Sequence, residues 1–232
     1  MAQLVNDWWT APNEYLNREH ENHNAIKLYW YFKGQGWTKN AIAGMCGNMH
    51  VESRINPGLW QGRSVPADPM TSSKGYGLTQ WTPARKYISW ALEQGYTNYS
   101  DGDYQVLRIV WEWQNKKQWS LNNLGSHTWN DFVYSTETPE RLARVWCWAY
   151  ERPSNPNMEL RQENARYYYD LFEREDPSPT PEPSPDPPPE PTPPDDTPTD
   201  PDHPGYSNGL TIDQLFLILS RKKERGRQIV II

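Results

Sequence analysis

The stretch Ala41-Ile42-Ala43-Gly44-Met45-Cys46-Gly47-Asn48-Met49-His50-Val51-Glu52-Ser53-Arg54-Ile55-Asn56-Pro57-Gly58 decides the fold of this chain. Ile42, Met45, Cys46 and Met49 recur at i, i+3, i+4 and i+7, one stripe of an α-helix. Glu52 stands three residues beyond Met49 and continues the stripe. Asn56-Pro57-Gly58 then stops the helix, and Thr38 stands where its N-cap belongs. The helix therefore ends by presenting a carboxylate from an apolar face. Partial burial disfavours the charged form there, and so does the negative end of the helix dipole. Both effects favour a proton-bearing carboxyl, as a general acid near neutral pH requires. The plain alternative is a surface Glu at a helix end.

Working outward, residues 24–35 form a helix on the spacing of Ile26, Tyr29, Trp30 and Lys33. Residues 57–82 are rich in Gly, Pro and Ser and read as loops with a short β-hairpin. Helices follow near 83–95, 103–118, 128–135, 138–150 and 159–174. Pro83 fits a helix start and Gly95 a helix end. The Tyr104, Leu107, Trp111 stripe, with Ile109 and Trp113 beside it, predicts a helix apolar around most of its girth and hence central.

Composition sets bounds on function. The 232 residues carry a net charge of −6, but residues 1–174 balance 18 acidic against 18 basic side chains. No basic patch argues for a nucleic acid partner. All 13 Trp lie in 1–174, beside only four Phe in the whole chain. Most of them are expected to pack a core, and two or three to meet sugar rings, whose apolar faces suit indole. Cys46 and Cys147 fall among apolar neighbours and read as buried thiols, with a disulfide the alternative. The five His form no ligand motif, so neither metal nor cofactor is expected. The N-terminus has no basic start and no long apolar run, and is not expected to be a signal peptide.

From Asp176 the composition breaks. Fourteen of the 22 Pro fall between Pro177 and Pro204, in an acidic stretch that cannot form a core and reads as a disordered, extended spacer. Four segments follow: an N-terminal extension (1–21), a catalytic domain (22–175), the linker (176–205) and a short end segment (206–232), with residues 1–175 expected to fold and act alone. The last holds Leu215-Phe216-Leu217-Ile218-Leu219 and a basic run, too short to span a bilayer as a helix.

Glu52-Ser53 before Asn56-Pro57-Gly58, then Gly75-Tyr76-Gly77-Leu78-Thr79-Gln80-Trp81, resembles the lysozyme superfamily. It is most similar to the phage tail lysozyme family, found in tail-tip proteins of phages of Gram-positive bacteria and in related mobile-element wall hydrolases. The likeness continues in Trp37-Thr38, Gln105 to Glu112 and Tyr150-Glu151-Arg152-Pro153, and covers roughly residues 22 to 173. It implies a mainly α, α+β lysozyme-like fold with a small β-hairpin beside the cleft. The implied activity is cleavage of the β-1,4 bond between N-acetylmuramic acid and N-acetylglucosamine in peptidoglycan, in a virion tail or released to the wall. Lytic transglycosylation, a conjugation-associated wall hydrolase and a non-catalytic tail module are the alternatives.

The resemblance puts Glu52 in the acid role and Gln80, beside Tyr76 and Trp81, along the cleft. Thr79 stands where lytic transglycosylases usually carry Met. Tyr150 and Glu151 match the second cleft wall, with Glu151 either a substrate contact or the ion-pair partner of Arg152 or Arg54. Asp68, the only acidic residue between Glu52 and Glu93, is the positional candidate for a second carboxylate, against a turn-forming Asp before Pro69. Several branches of the superfamily work with one essential Glu. The end segment reads as a docking peptide for phage tail proteins, with membrane contact the alternative.

Overall fold

A computed structural model describes residues 1–121 and 127–177. Apart from Asp176 and Pro177, the expected linker and end segment lie outside the described residues. Among the described residues the chain is mainly helical, with one two-stranded antiparallel sheet. Strands β1 (Gln3–Val5) and β2 (Trp8–Thr10) pair first. Helices α1 (Arg18–Gly34), α2 (Lys39–Ser53), α3 (Arg85–Glu93), α4 (Gly102–Gln114), α5 (Trp129–Val133), α6 (Pro139–Trp146) and α7 (Met158–Glu175) follow. A π-turn (Cys147–Glu151) extends α6.

Most helix starts have a local cause. The side chains of Asn17, Thr38, Asp101, Thr128 and Thr138 accept a backbone N–H from the first turns of α1, α2, α4, α5 and α6. Each satisfies a donor that the helix itself leaves open. At the far end of α2, Arg54 and Ile55 adopt positive φ (57° and 49°), so the helix stops at Ser53, before Asn56-Pro57-Gly58.

The central helix is α2 rather than α4. Every residue from Ala41 to His50 is buried, so the apolar stripe is one side of a helix enclosed all round. It packs on α7, α6 and α1. Two glycines permit this. A Cβ on Gly44 would lie 2.9 Å from Ala143 N, and one on Gly47 2.4 Å from Arg161 O and 2.6 Å from Ala165 N. Backbones of α6 and α7 therefore sit directly on α2. The α4 helix keeps Trp111 and Trp113 half-exposed and buries Val106, Leu107, Ile109, Val110 and Glu112.

The regular strand pair lies elsewhere than expected. It precedes α1, whereas residues 57–82 hold a 3₁₀ turn (Gln61–Arg63) and the isolated bridges Trp60–Tyr76 and Tyr76–Trp81. Nor are residues 1–21 an appendage. Trp8 is buried and its Nε1 donates to Asp103 Oδ1 (2.8 Å). Asn24 of α1 accepts from Trp9 N (2.9 Å) and donates to Trp9 O and Ile55 O (2.7 and 2.8 Å). The boundary at 21/22 also falls inside α1, where buried Glu21 lies 2.5 Å from His50 Nδ1. At the other end, Asp176 accepts from Tyr29 and Lys33, so the folded unit runs past Glu175.

Cys46 and Cys147 are both free and buried. Burial raises the Cys147 thiol to about 11 and pushes the Cys46 thiol well up, so both stay protonated and pack as small apolar groups. The aromatic side chains gather in several clusters, two of them rich in Trp. Trp60, Tyr76, Trp81 and Tyr87 meet ring to ring beneath the 57–82 loops. Trp119, Trp129, Phe132, Trp146 and Tyr150 do the same between α5 and α6. Gly47→Ala is expected to destabilise the fold by about 1–3 kcal/mol, the usual cost of overpacking a tight contact. Chemical denaturation measures it, and an unchanged midpoint would mean that α7 yields freely.

Candidate active site

Glu52 stands on the last turn of α2, and the next residue ties that turn to the loop motif. Ser53 Oγ donates to Leu78 O (2.8 Å), joining the Glu-Ser and Gly-Leu-Thr-Gln segments. Gln105 of α4 secures the same loop. Its Oε1 accepts from Leu78 N (2.8 Å), and its Nε2 donates to Pro57 O (2.5 Å). A Cβ on Gly77, at φ +80°, would lie 2.5 Å from Gln105 Oε1, so this residue has to be glycine. Asn56 completes the seat by accepting from Ala11 N and Gly58 N (3.1 and 2.9 Å) and donating to Ala11 O and Glu14 O (2.8 and 3.1 Å).

Around Glu52 opens a cleft of about 560 Å³. That lies within the usual range for a small-ligand site. One wall is Leu59 to Arg63 and Thr79 to Thr82, with Lys86 of α3 behind; the other is Gln118 and Glu151 to Ser154. Gln80 and Trp81 line the cleft. Gln80 holds positive φ (50°), and its Nε2 donates to Leu59 O and Gly77 O (both 3.0 Å). Trp81 is almost buried, and its Nε1 donates to Glu112 Oε1 (3.1 Å). The exposed cations Arg63, Lys86 and Arg152 line the same space.

Three expected site residues lie elsewhere. Tyr76 is 1% exposed, does not line the cleft and packs on Trp60 and Tyr87. Tyr150 is equally buried and donates to Glu112 Oε2 (2.5 Å), supporting the wall from behind. Asp68 is exposed and absent from the cleft lining. Its carboxylate accepts from Met70 N (2.9 Å) and Thr71 Oγ1 (3.0 Å), and these bonds hold it below the usual carboxylate range. It is the turn-forming Asp of a loop, not a partner of Glu52.

The carboxylate that does share the cleft with Glu52 is Glu151. The π-turn at the end of α6 delivers it, in keeping with the frequent use of such turns at functional sites. Trp146 Nε1 donates to Glu151 Oε1 (2.9 Å). Glu151 pairs with neither Arg152 nor Arg54: Arg152 donates to Gln118 O (2.7 Å) and Ala149 O (2.5 Å), and Arg54 turns to His50. Burial pushes the Glu151 carboxyl well above the usual range, and the Glu52 charge adds to this, against Arg161.

Sequence reasoning missed Arg161 altogether. It lies on α7, is 1% exposed, and its Nη2 contacts Glu52 Oε1 at 2.5 Å. Its Nη1 donates to Asn48 Oδ1 (2.8 Å) and its Nε to Pro156 O (2.6 Å). The contact is an ion pair that ties the last turn of α2 to α7. Glu112 of α4, buried behind the cleft, accepts from Arg108, Trp81 and Tyr150. Burial nevertheless raises it, with Arg108 the largest opposing influence. Among the described residues no group of His, Cys, Asp and Glu could hold a metal ion.

The phage tail lysozyme family matches residues 23–172 of this chain. Among relatives, Morphogenesis protein 1 of Bacillus phage B103 is 43% identical over 159 residues. That match spans 68% of this chain but only 42% of the relative, so this chain spans less than half of that protein.

A carboxyl that the fold raises binds its proton more tightly folded than unfolded. Stability is then highest below the ordinary carboxylate range and falls as pH rises towards the folded value. Glu112→Gln removes one such group. Its melting temperature is expected to fall less than the wild type's between acid and neutral pH. Equal slopes in thermal melts across that range would refute the assignment.

Proposed function

The chain belongs to the phage tail lysozyme family, and from that membership we propose that it is a muramidase used by a phage tail to open the cell wall. Its substrate is the β-1,4 bond between N-acetylmuramic acid and N-acetylglucosamine. The observation that carries this reading is the placement of Glu52 in a cleft with Gln80, their segments joined by the Ser53–Leu78 bond. In this reading Glu52 protonates the leaving glycosidic oxygen, and the oxocarbenium-like centre forms beside the cleft's carboxylates. Trp60 and Trp81 offer edges to sugar rings. The cleft cations Arg63, Lys86 and Arg152 suit a polymer that bears lactyl and peptide carboxylates.

A second reading follows from the relative's printed name. A morphogenesis protein serves assembly, and a lysozyme-like unit within one could grip peptidoglycan without cutting it. Against it, Glu52 and Gln80 both line the cleft, as a cutting enzyme needs. We therefore read the chain as a virion-associated, wall-cleaving unit, with peptidoglycan as substrate and tail proteins as neighbours. No described helix is long and apolar enough to cross a membrane.

Digestion of purified peptidoglycan, read by mass spectrometry, tests the activity. Reducing N-acetylmuramic acid ends are expected; 1,6-anhydro ends would make the enzyme a lytic transglycosylase, and intact glycan would leave the binding role. Glu52→Gln should lower the rate by about 100- to 10,000-fold, the usual contribution of a general acid, with circular dichroism unchanged. Near wild-type turnover in that variant would remove Glu52 from the acid role.

A further inference from the structure

The rim of the cleft carries charge that the protein leaves uncompensated. Arg63, Lys86 and Arg152 are exposed and line the cleft. Among the described residues no carboxylate lies within ion-pair distance of any of them. Their positions in the sequence explain why. Arg63 sits on a loop whose sole acid, Asp68, spends its oxygens on Met70 N and Thr71 Oγ1. Lys86 has Thr82, Pro83, Ser89 and Trp90 at spacings of three and four, so no carboxylate meets it along α3. No acid follows Arg152 before Glu159, and its neighbour Glu151 is turned to Trp146.

The two arginines are braced by neutral groups instead. Arg63 Cζ lies 5.3 Å from the ring centre of Tyr15, an exposed side chain that also lines the cleft. Arg152 gives Nη1 to Gln118 O and Ala149 O (2.7 and 2.5 Å), which leaves its Nη2 without an acceptor among the described residues. Such partners steady a guanidinium without cancelling its charge. Both arginines also hold positive φ (53° each), a backbone state that costs a non-glycine residue energy and that gathers at binding sites. The acids of the cleft are engaged elsewhere, Glu52 with Arg161 and Glu151 with Trp146.

The rings of a glycan strand are neutral. Its charge hangs from the muramyl units, whose lactyl groups carry peptides with free carboxylates. A strand bound beside Glu52 carries those peptides out past the exposed side chains of the cleft. Phosphodiester chains are the other anions of a wall, but they are attached only here and there, whereas peptides hang along the whole strand. A guanidinium fork also matches the two oxygens of a carboxylate. Resting on the muramidase reading, we propose that Arg63, Lys86 and Arg152 bind the carboxylates of these stem peptides, so that the cleft selects peptide-bearing strands over neutral glycan.

The test compares two substrates. Soluble, uncrosslinked peptidoglycan strands free of wall phosphodiester are set against the same strands after carbodiimide amidation of their carboxylates. The full chain is expected to lose about tenfold in kcat/KM on the amidated strands, mostly as a rise in KM, the order that three exposed ion pairs contribute together. Arg63→Gln/Lys86→Gln/Arg152→Gln should cut both substrates alike, at the lower efficiency. Equal efficiency of the wild type on the two substrates overturns the proposal, and so does a triple variant that still discriminates fully. If the triple variant does not fold, Arg63→Gln/Lys86→Gln, which breaks no described side-chain hydrogen bond, decides. Part of the discrimination should then go, and its full retention overturns the proposal. A wild type indifferent to amidation that prefers strands bearing wall phosphodiester would make phosphate the ligand and overturn it too. A wild type that cuts neither substrate would defeat the muramidase reading. Co-sedimentation with native and amidated sacculi then decides the binding claim, stronger retention on the native form supporting it and equal retention overturning it.

Discussion

A buried guanidinium cannot be left without partners, and Arg161 shows how much of this fold is arranged to supply them. The cost of removing such a charge from water is several kcal/mol, recovered only when each donor finds an acceptor in good geometry. Three residues in two parts of the chain provide those acceptors: Glu52 and Asn48 on α2, and the backbone at Pro156 ahead of α7. Asn48 is itself fixed, donating to Gly44 O and Ala143 O (2.8 and 2.9 Å). The bare backbone at Gly44 and Gly47 lets α6 and α7 come close enough to close this network. Position of Glu52, approach of the helices and burial of the cation are thus one constraint.

How much of this was legible in the sequence depends on range. The helices were readable because their signals are local. Apolar spacing, the Thr38 cap and Pro83 just ahead of α3 act within a turn or two. Glu52 and Gln80 were readable because a motif marks them. The second cleft wall was only half readable. Tyr150 and Glu151 are adjacent, yet the π-turn sends Glu151 to the cleft and Tyr150 into the core. No spacing rule announces a π-turn. Arg161 was invisible because its partner lies 109 residues away. Asp68 misled because nearness in sequence says nothing about direction, and its own turn consumes its oxygens. The strand pair misled for a related reason. The 57–82 segment has the turn residues of a hairpin, but Tyr76 bridges both Trp60 and Trp81, and no ladder extends from either.

The aromatic content follows the same division. Among the described cleft residues, Trp60 and Trp81 are the two Trp, and each is almost buried with its ring in the cluster behind the wall. A wall made this way is stiff, because moving either ring disturbs Tyr76 and Tyr87 as well. The opposite wall rests on Trp146 and Tyr150, stacked at 4.3 Å between ring centroids. Both walls therefore owe their shape to ring packing and only their lip to substrate-facing chemistry.

The two ends of the folded unit are fastened to the same helix. Near the start, Asp7 pairs with Lys27 and Trp9 is bound by Asn24, both on α1. Near the finish, Asp176 is held by Tyr29 and Lys33, again on α1. Neighbouring helices hold the same ends: Lys39 of α2 donates to Asp176 O (2.7 Å), and Trp8 donates to Asp103 of α4 (2.8 Å). Both ends of the unit are thus pinned into its helices rather than left as tails.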